Sequence, residues 1–386
     1  MERQPLMQIQ PLQILLVYYE PAPSGQTAHV LSLAKGLHRD RFHVRVLMPD
    51  LLSAAAIRFK AAGIHVELAP IRKLGWRPQA VTRLFQELRR HPNTIVHVHS
   101  QEAGLVARPL AKLFGARRIV YTPQTVDIRR KGIQKQYVRA ERVLSRITDR
   151  IISVNQADHL RLRKWGIQPE KIQTIYNGIQ LDEFGPTAQS IELRSNLCLD
   201  AQAPLILQIG RLSEQKSPLD FIQGASCVLQ KRPDANFIMI GDGPLFGTVR
   251  QRILELGLER RIHLLGARED AYRYIPDADV ITLTSGWEGT PYSLLEAMAW
   301  ARPVVSTAVN GCVDIVTHGK NGFLVPPSQP EAWAEAVLRL IENPLLANSM
   351  GQEGRRRVEQ EFSIDEMVRR IESLYEDLAW PASSID

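Results

Sequence analysis

Cysteine is scarce in this chain, with three in 386 residues, at Cys198, Cys227 and Cys312. They are too few and too scattered for a disulfide framework, and no Cys-x-x-Cys is present to grip zinc. A reducing, cytoplasmic setting is therefore the expectation. Long apolar runs are missing too. The run Ile14 to Tyr19 is the length of a strand, too short for the core of a signal peptide or for a bilayer span. Low-complexity segments and short-period repeats are also lacking. Hydrophobic residues make up 44% and charged residues 23%. Those ordinary globular values exclude a disordered, collagenous or coiled-coil chain. The length suggests two or three domains.

Negative charge is short in one half only. Residues 1–185 carry 29 Lys and Arg against 14 Asp and Glu, a net +15, whereas residues 186–386 carry 19 against 27, a net −8. This asymmetry points to two domains, the first facing something anionic: nucleic acid, a membrane surface or a phosphorylated substrate. No helix-turn-helix, ribonucleoprotein motif or aromatic-interleaved basic strip supports nucleic acid.

Short apolar or β-branched runs alternate with helical stretches along the whole chain. Strands are expected at Gln13–Tyr18, His43–Met48, Ile64–Leu68, Thr94–His99, Arg118–Thr122, Arg150–Val154 and Ile172–Tyr176. A turn signal at Asn177-Gly178 and a polar stretch follow. The alternation restarts at Leu205–Ile209, Asn236–Ile240, Ile262–Leu265, Asp279–Leu283, Pro303–Ser306 and Gly322–Val325. Such a pattern predicts parallel sheets with helices on both faces. Two Rossmann-like domains, 1–185 and 186–363, are expected, with a final helical segment at 364–386. In open parallel sheets ligands bind at the carboxyl ends of strands, so the chemistry is sought there, in the expected cleft between the domains.

Gly210-Arg211 follows one such strand, with Lys216 five residues on. An Arg fork and a mobile Lys can clamp a diphosphate; alone, they could equally be two solvated cations. Gly241-Asp242-Gly243-Pro244 follows the next strand, and with Gly247 it is one residue too long for the dinucleotide fingerprint. It reads as a tight turn allowing close backbone approach to a ligand. The stretch Ser285 to Ala299 is the most informative. Gly289 and Pro291 keep Glu288 out of the following helix, which starts near Pro291 and points its positive N-terminus at the site. Glu296 lies inside that helix. A retaining glycosidase also uses two carboxylates, but nothing in this spacing requires their separation, and a glycosidase has no need of the cation pair.

In these motifs the second half resembles the retaining glycosyltransferases of family four, nucleotide-sugar enzymes of the GT-B fold. The resemblance rests on Gly210-Arg211 with Lys216, Gly241 to Pro244, Glu288 to Glu296 (E-x7-E), Arg302 to Thr307, Asp314-Ile315-Val316, Gly319 to Pro327 and Phe362-Ser363. The first half matches more loosely, through Pro23-Ser24-Gly25, His97 to Ser100, Tyr121-Thr122-Pro123 and Ile175 to Ile179. The resemblance implies an α/β, GT-B architecture: two Rossmann-like parallel-sheet domains facing a central cleft, the C-terminal helix returning to the first domain. It implies transfer of a sugar from a nucleotide-diphosphate-sugar to an acceptor hydroxyl with retention, in glycolipid or surface-polysaccharide biosynthesis, without metal or other cofactor; an Asp-x-Asp metal motif is not expected. Arg211 and Lys216 would hold the diphosphate, Glu288 the transferred sugar and Glu296 the ribose. Gly25, Gly210, Gly241 and the backbone around Thr290, Pro291, Tyr292 and Ser293 would line the phosphates, and Arg268 would lie near the nucleobase. His99 and Gln124 are acceptor-side candidates. The first loop here reads Ser24-Gly25-Gln26-Thr27, where the family often has Gly-Gly-x-Glu, and Gln124 stands where it often has His. These departures motivate one alternative, a catalytically silent nucleotide-sugar-binding partner of an active transferase. A nucleotide-sugar epimerase is another.

Two further features are read from the residues alone. His97 and His99 share one face of a strand. A metal pair and a buried hydrogen-bonded role are both open; the lack of a third ligand nearby favours the second. From Ile133 to Ile147 a helix is expected, with Ile133, Tyr137, Ala140, Leu144 and Ile147 inward, while Lys135, Arg139, Arg142, Arg146 and Arg150 keep the same rhythm on the opposite face. Arg129, Arg130 and Lys131 precede it. Such a ridge suits an anionic leaflet, making the chain peripheral on the inner face of a membrane, or is simply a solvated face.

Overall fold

The computed structural model describes residues 10–20, 25–72, 75–126, 134–185 and 189–380. The chain forms two compact units, one of residues up to Gly178 together with those from Ile364 on, the other Ile179–Ser363.

Unit one has a sheet of seven strands, β1 (Leu12–Tyr18), β2 (Phe42–Pro49), β3 (His65–Ala69), β4 (Ile95–His99), β5 (Arg118–Thr122), β6 (Arg150–Ser153) and β7 (Ile172–Thr174). Their spatial order is β3-β2-β1-β4-β5-β6-β7, all parallel. The central strands are near-continuous apolar runs because both faces are covered. The covering helices are α1 (Gly25–Gly36), α2 (Ser53–Ala61), α3 (Pro78–Arg90), α4 (Gln101–Leu113), α5 (Gln134–Leu144) and α6 (Gln156–Lys164). Helix α3 shows why they form. Pro78 sits in its first turn, Ala80, Leu84 and Leu88 recur every fourth residue on its buried side, and Arg89 and Arg90 meet its negative C-terminus.

Unit two repeats the plan with six parallel strands, β8 (Leu205–Ile209), β9 (Asn236–Ile240), β10 (Ile262–Leu264), β11 (Val280–Leu283), β12 (Val304–Thr307) and β13 (Phe323–Val325), in the order β10-β9-β8-β11-β12-β13. Its helices are α7 (Leu193–Asn196), α8 (Pro218–Lys231), α9 (Phe246–Glu255), α10 (Tyr292–Ala299), α11 (Asn310–Ile315), α12 (Pro330–Ile341) and α13 (Pro344–Glu361). Each of the thirteen expected strands is present, with ends shifted by two residues at most.

The last helix, α14 (Ile364–Ala379), belongs to unit one, as expected. Its apolar stripe, Met367, Val368, Ile371, Leu374 and Tyr375, joins the core beneath α1 and α2. Contact with α1 is close enough that a Cβ on Gly36 would meet Val368 Cγ2 at 2.6 Å. Glu372 accepts from the His38 backbone N–H at 2.9 Å and pairs with Arg41 at 3.1 Å. The other sheet face is covered by α3, α4, α5 and α6, which share a second core with Ala80, Ala107, Tyr137 and Leu162.

Helix α5 corrects the expected stripe. Its buried side carries Tyr137 and Glu141, followed by Ser145 and Thr148; Ala140, Leu144 and Ile147 are only half-buried. Ile133 lies outside the described residues, as do Arg129, Arg130 and Lys131. The reason is Arg108 of α4, fully buried with its guanidinium 3.8 Å from the centre of the Tyr121 ring. A buried guanidinium needs a counter-charge. Glu141 turns inward and meets it at 2.6 Å, both side chains wholly shielded from solvent.

Glu141→Ala should therefore leave a buried, unpaired cation and cost about 3–5 kcal/mol. Thermal melting would show it as a large drop in midpoint for this variant. The double replacement Arg108→Met with Glu141→Leu should recover most of the loss. A single variant melting with the parent would contradict the assignment.

Candidate functional site

In each sheet the strand order reverses once. In unit two this happens between β8 and β11, which lie side by side while their crossovers leave in opposite directions. A crevice opens at the carboxyl ends of such a pair. Gly210 and Arg211 leave β8 there, and Thr284 to Glu288 leave β11.

The two segments are tied together. Thr284 Oγ1 donates to the carbonyls of Lys216 (2.9 Å) and Ser217 (3.1 Å), and the Gly286 N–H reaches the Gln215 carbonyl at 2.8 Å. Gln215 Nε2 donates to the Trp287 carbonyl at 3.0 Å. This lacing brings Lys216 Nζ to 2.5 Å from Glu288 Oε1, with both side chains largely buried. Ser285 Oγ donates to the same carboxylate oxygen at 2.5 Å. Thr307 Oγ1, at the end of β12, holds the Ser285 carbonyl at 2.6 Å. Behind them the Cys312 thiol is pushed up to about 12 by burial, with a smaller push from Glu288. Packing is tight here: a Cβ on Gly311 would meet the Gly289 carbonyl oxygen at 1.7 Å.

Helix α10 starts at Tyr292, with Pro291 as its cap residue in an extended conformation. The first N–H groups of a helix, here those of Tyr292 and Ser293, have no acceptor inside it and suit an anion. Thr290 is half-buried and Ser293 buried. Glu296 follows one turn later. Burial, and secondarily the nearby Glu183 carboxylate, raise its pKa from the ordinary 4.5 to about 7. Tyr292, on the same side of the helix, has a buried hydroxyl without a protein partner among the described residues, and burial raises its pKa. Tyr272 joins this corner, its ring 5.6 Å from that of Phe184.

Arg211 and Arg268 are exposed, and among the described residues neither side chain has a hydrogen bond or ion pair. Gly241 is required by the protein's own backbone. A Cβ there would lie 1.9 Å from the Gly210 carbonyl oxygen, and one on Gly243 would lie 2.4 Å from that of Leu212. The expected close approach is thus made to the neighbouring strand end, which lets Gly210 and Gly241 stand side by side.

Sequence reasoning missed Ser285 and Glu183. Ser285 adjoins the acidic motif and could have been suspected as its hydrogen-bond donor. Glu183 lies more than a hundred residues before Glu296, and nothing local links the two.

In unit one, Gly25 opens α1. His97 is buried between the Tyr375 hydroxyl (2.6 Å) and Thr122 Oγ1 (2.7 Å), the hydrogen-bonded role rather than a metal pair. His99 stacks on it at 4.0 Å between ring centres, and His29 of α1 lies 5.3 Å from His99. Burial holds all three imidazoles neutral, and the ring nitrogens of His29 and His99 have no partner among the described residues. Gln124 adopts a positive φ of 65° and accepts from Asn177 Nδ2 at 3.2 Å. Lys135, Arg139, Arg142 and Arg146 are exposed, as the ridge required, whereas Arg150 already belongs to β6 and is half-buried.

An Asp-x-Asp tripeptide does occur, contrary to expectation, at Asp277-Ala278-Asp279. It lies at the opposite, amino end of β11, where Asp279 pairs with Arg194 at 2.8 Å and Asp277 accepts the Arg194 backbone N–H at 2.7 Å. His65, Glu67 and Glu87 come within ligand distance of one another. Arg83 already holds Glu67 at 2.7 Å and Arg45 holds Glu87 at 3.0 Å, which disfavours a cation. No helix among the described residues is long and apolar enough to cross a membrane.

Comparison with known proteins bears on the family and the fold. The model of the family described as "Glycosyl transferases group 1" matches residues 190–357, and that of "Glycosyltransferase Family 4" matches residues 23–183. The chain is 28% identical over 308 residues to a UDP-Gal:alpha-D-GlcNAc-diphosphoundecaprenol alpha-1,3-galactosyltransferase from Escherichia coli, covering 78% of this chain and 79% of that one. It is 25% identical over 300 residues to N-acetyl-alpha-D-glucosaminyl L-malate synthase from Bacillus anthracis, covering 77% and 78%. Among solved structures, HepE from Anabaena in complex with UDP-glucose superposes with a TM-score of 0.81 at 24% identity, over 95% of this chain and all of that one. The fold is thus the GT-B type, built from two parallel-sheet Rossmann-like domains.

The raised pKa of Glu296 makes a prediction about stability. Its carboxyl ionises near 4.5 in the unfolded chain and near 7 in the folded one, so the folded chain binds the extra proton between those values. Stability from this group therefore falls as pH rises from 4.5 through 7. Glu296→Gln should melt above the parent at pH values beyond 7, by up to about 2 kcal/mol, and the gain should fade towards pH 4. A difference that does not change with pH would count against it.

Proposed function

Since the chain belongs to the family 4 glycosyltransferases, with a group 1 second half, we propose that it transfers a sugar from a UDP-sugar to an acceptor hydroxyl with retention of anomeric configuration. The observation that carries this reading is the meeting of Lys216 and Glu288 at the crevice between β8 and β11, beside the start of α10. A diphosphate and a sugar need opposite things, a cation and a hydrogen-bond acceptor, and here the two lie 2.5 Å apart. Lys216 and the exposed Arg211 take the diphosphate, the Arg by a planar fork and the Lys as a point charge. The N–H groups of Tyr292 and Ser293 add the helix's positive end. Glu288, oriented by Ser285, accepts from hydroxyls of the transferred sugar. Glu296, once ionised, accepts from the ribose hydroxyls.

As the bond from the anomeric carbon to the diphosphate breaks, negative charge gathers on the leaving oxygen. Cations and helix dipole aimed there stabilise the transition state more than the ground state. The acceptor oxygen attacks on the same face, and its proton passes to the departing phosphate oxygen. No separate side-chain base is required. UDP is preferred as donor nucleotide because relatives bind or use it by name: HepE with UDP-glucose, and the galactosyltransferase from E. coli. The latter's name also supports a diphospholipid-linked sugar as acceptor, in surface-polysaccharide or glycolipid assembly. Such an acceptor is held at a bilayer, and the chain then works as a peripheral protein on its inner face. His99 and Gln124, at the ends of β4 and β5, are the acceptor-side groups of this reading.

Calorimetry with UDP-, GDP- and ADP-sugars, without added metal, tests the donor. UDP-sugars should bind and slowly release free sugar, with affinity rising as pH passes through about 7 and Glu296 ionises. Lys216→Ala should weaken UDP about ten- to a hundredfold, the range for a charge-assisted hydrogen bond. Glu288→Gln should keep UDP binding within a fewfold yet lower turnover by at least about a hundredfold. Absence of binding to all three nucleotide sugars, or a Glu288→Gln enzyme with full turnover, would overturn the reading.

A further inference from the structure

The four helices α3, α4, α5 and α6 of unit one carry nine exposed Lys and Arg and no exposed Asp or Glu. They form one continuous layer. Helix α4 contacts both α3 and α5, and α5 meets the end of α6 through Tyr137 against Trp165, 5.8 Å between ring centres. The single sign is produced by the fold. The carboxylates of these helices have turned inward, Glu87 to Arg45 (3.0 Å), Glu141 to Arg108 (2.6 Å), and Asp158 to the Val126 N–H (3.1 Å), while Glu102 is half-buried. The opposite layer of the same unit is mixed: α14 exposes Asp365 and Asp377 beside Arg369 and Arg370.

The layer also bears apolar side chains that the core does not use. Leu113 is 76% exposed, Val143 60% and Leu160 53%, standing out from α4, α5 and α6 among the cations. A nucleic-acid backbone would use the cations and leave these aliphatic groups idle. A bilayer surface uses both, because lipid phosphates meet the cations while short aliphatic side chains enter the headgroup boundary. The feature is spread over a broad layer, as a planar partner requires.

We propose that the outer surface of α3 to α6 is a docking surface for an anionic lipid bilayer, with Lys and Arg on the headgroup phosphates and Leu113 and Val143 in the interface. It rests on the reading of the acceptor as lipid-linked only for its purpose, since the physical argument is independent of it. Each cation near such a surface is worth about fivefold in partition coefficient, and each buried aliphatic side chain about tenfold.

The full chain is mixed with vesicles of phosphatidylcholine, with or without one-third phosphatidylglycerol, and floated on a density gradient. It should float with the anionic vesicles at low salt, much less at high salt, and not with the neutral ones. Arg89→Glu with Lys112→Glu and Arg139→Glu, at exposed positions without side-chain partners among the described residues, should lower partition by at least about a hundredfold. Leu113→Ser with Val143→Ser should lower it about a hundredfold at unchanged salt dependence. Lys35→Glu with Lys60→Glu, on the opposite layer, should leave it unchanged. Release of sugar from the UDP-sugar in solution should be unaffected in all these variants. Equal flotation with neutral vesicles, no flotation at low salt, or a loss no greater than that of the Lys35 and Lys60 variant would overturn the proposal. So would tighter binding to a DNA duplex than to the anionic vesicles. Flotation as expected in a chain that releases no sugar would instead count against the transferase reading and leave this surface standing.

Discussion

Two parallel neighbours in a sheet cannot be joined by a hairpin, and where two successive crossovers depart in opposite directions the sheet leaves a gap at its carboxyl edge. Everything chemical in unit two follows from that constraint acting at β8 and β11. The gap receives the ends of both strands, and the loops leaving them must satisfy their own backbone groups. Thr284 and Gly286 do so by bonding to the Gln215–Ser217 segment, which is what carries Lys216 to Glu288. Close packing does the rest. Gly210 against Gly241, and Gly289 against Gly311, bring backbones together at distances no side chain would allow.

The crevice is therefore stiff around Glu288 and open around the two exposed arginines. Glu288 is fixed from three directions, by Lys216, by Ser285 and, through the Ser285 carbonyl, by Thr307. Arg211 and Arg268, by contrast, project into solvent. Preorganised groups cost little reorganisation during reaction. The burial that raises the pKa of Glu296 also lowers the stability of the folded chain at neutral pH, a common tension between function and folding.

Unit one distributes charge differently. Its excess of Lys and Arg is visible from composition, but composition does not say where the few carboxylates go. Glu87 and Glu141 are drawn under their helices by Arg45 and Arg108, which are themselves buried. Each inward pair removes an acidic group from the surface and leaves the layer above it cationic. A moderate excess spread through the sequence thus becomes a face of one sign.

The sequence by itself determined the architecture and the local placing of the motif residues at strand ends and helix starts. Parallel strands buried on both faces must be apolar and short, their connecting helices must carry a periodic stripe, and both patterns are local, so β1 to β13 and α14 were legible. Glu288, Pro291 and Glu296 were legible for the same reason, since their meaning lies in spacing along one strand-to-helix turn. Tertiary structure alone decided what met across long separations: Lys216 with Glu288, Glu183 with Glu296, Arg108 with Glu141, His97 with Tyr375. It also decided that Asp277 and Asp279 bind Arg194 at the amino end of β11, away from the crevice at the carboxyl ends. The physical reason is that buried charges and hydrogen-bond donors must find partners wherever the packed chain places them. Their choice depends on the three-dimensional register of elements, which no local pattern encodes.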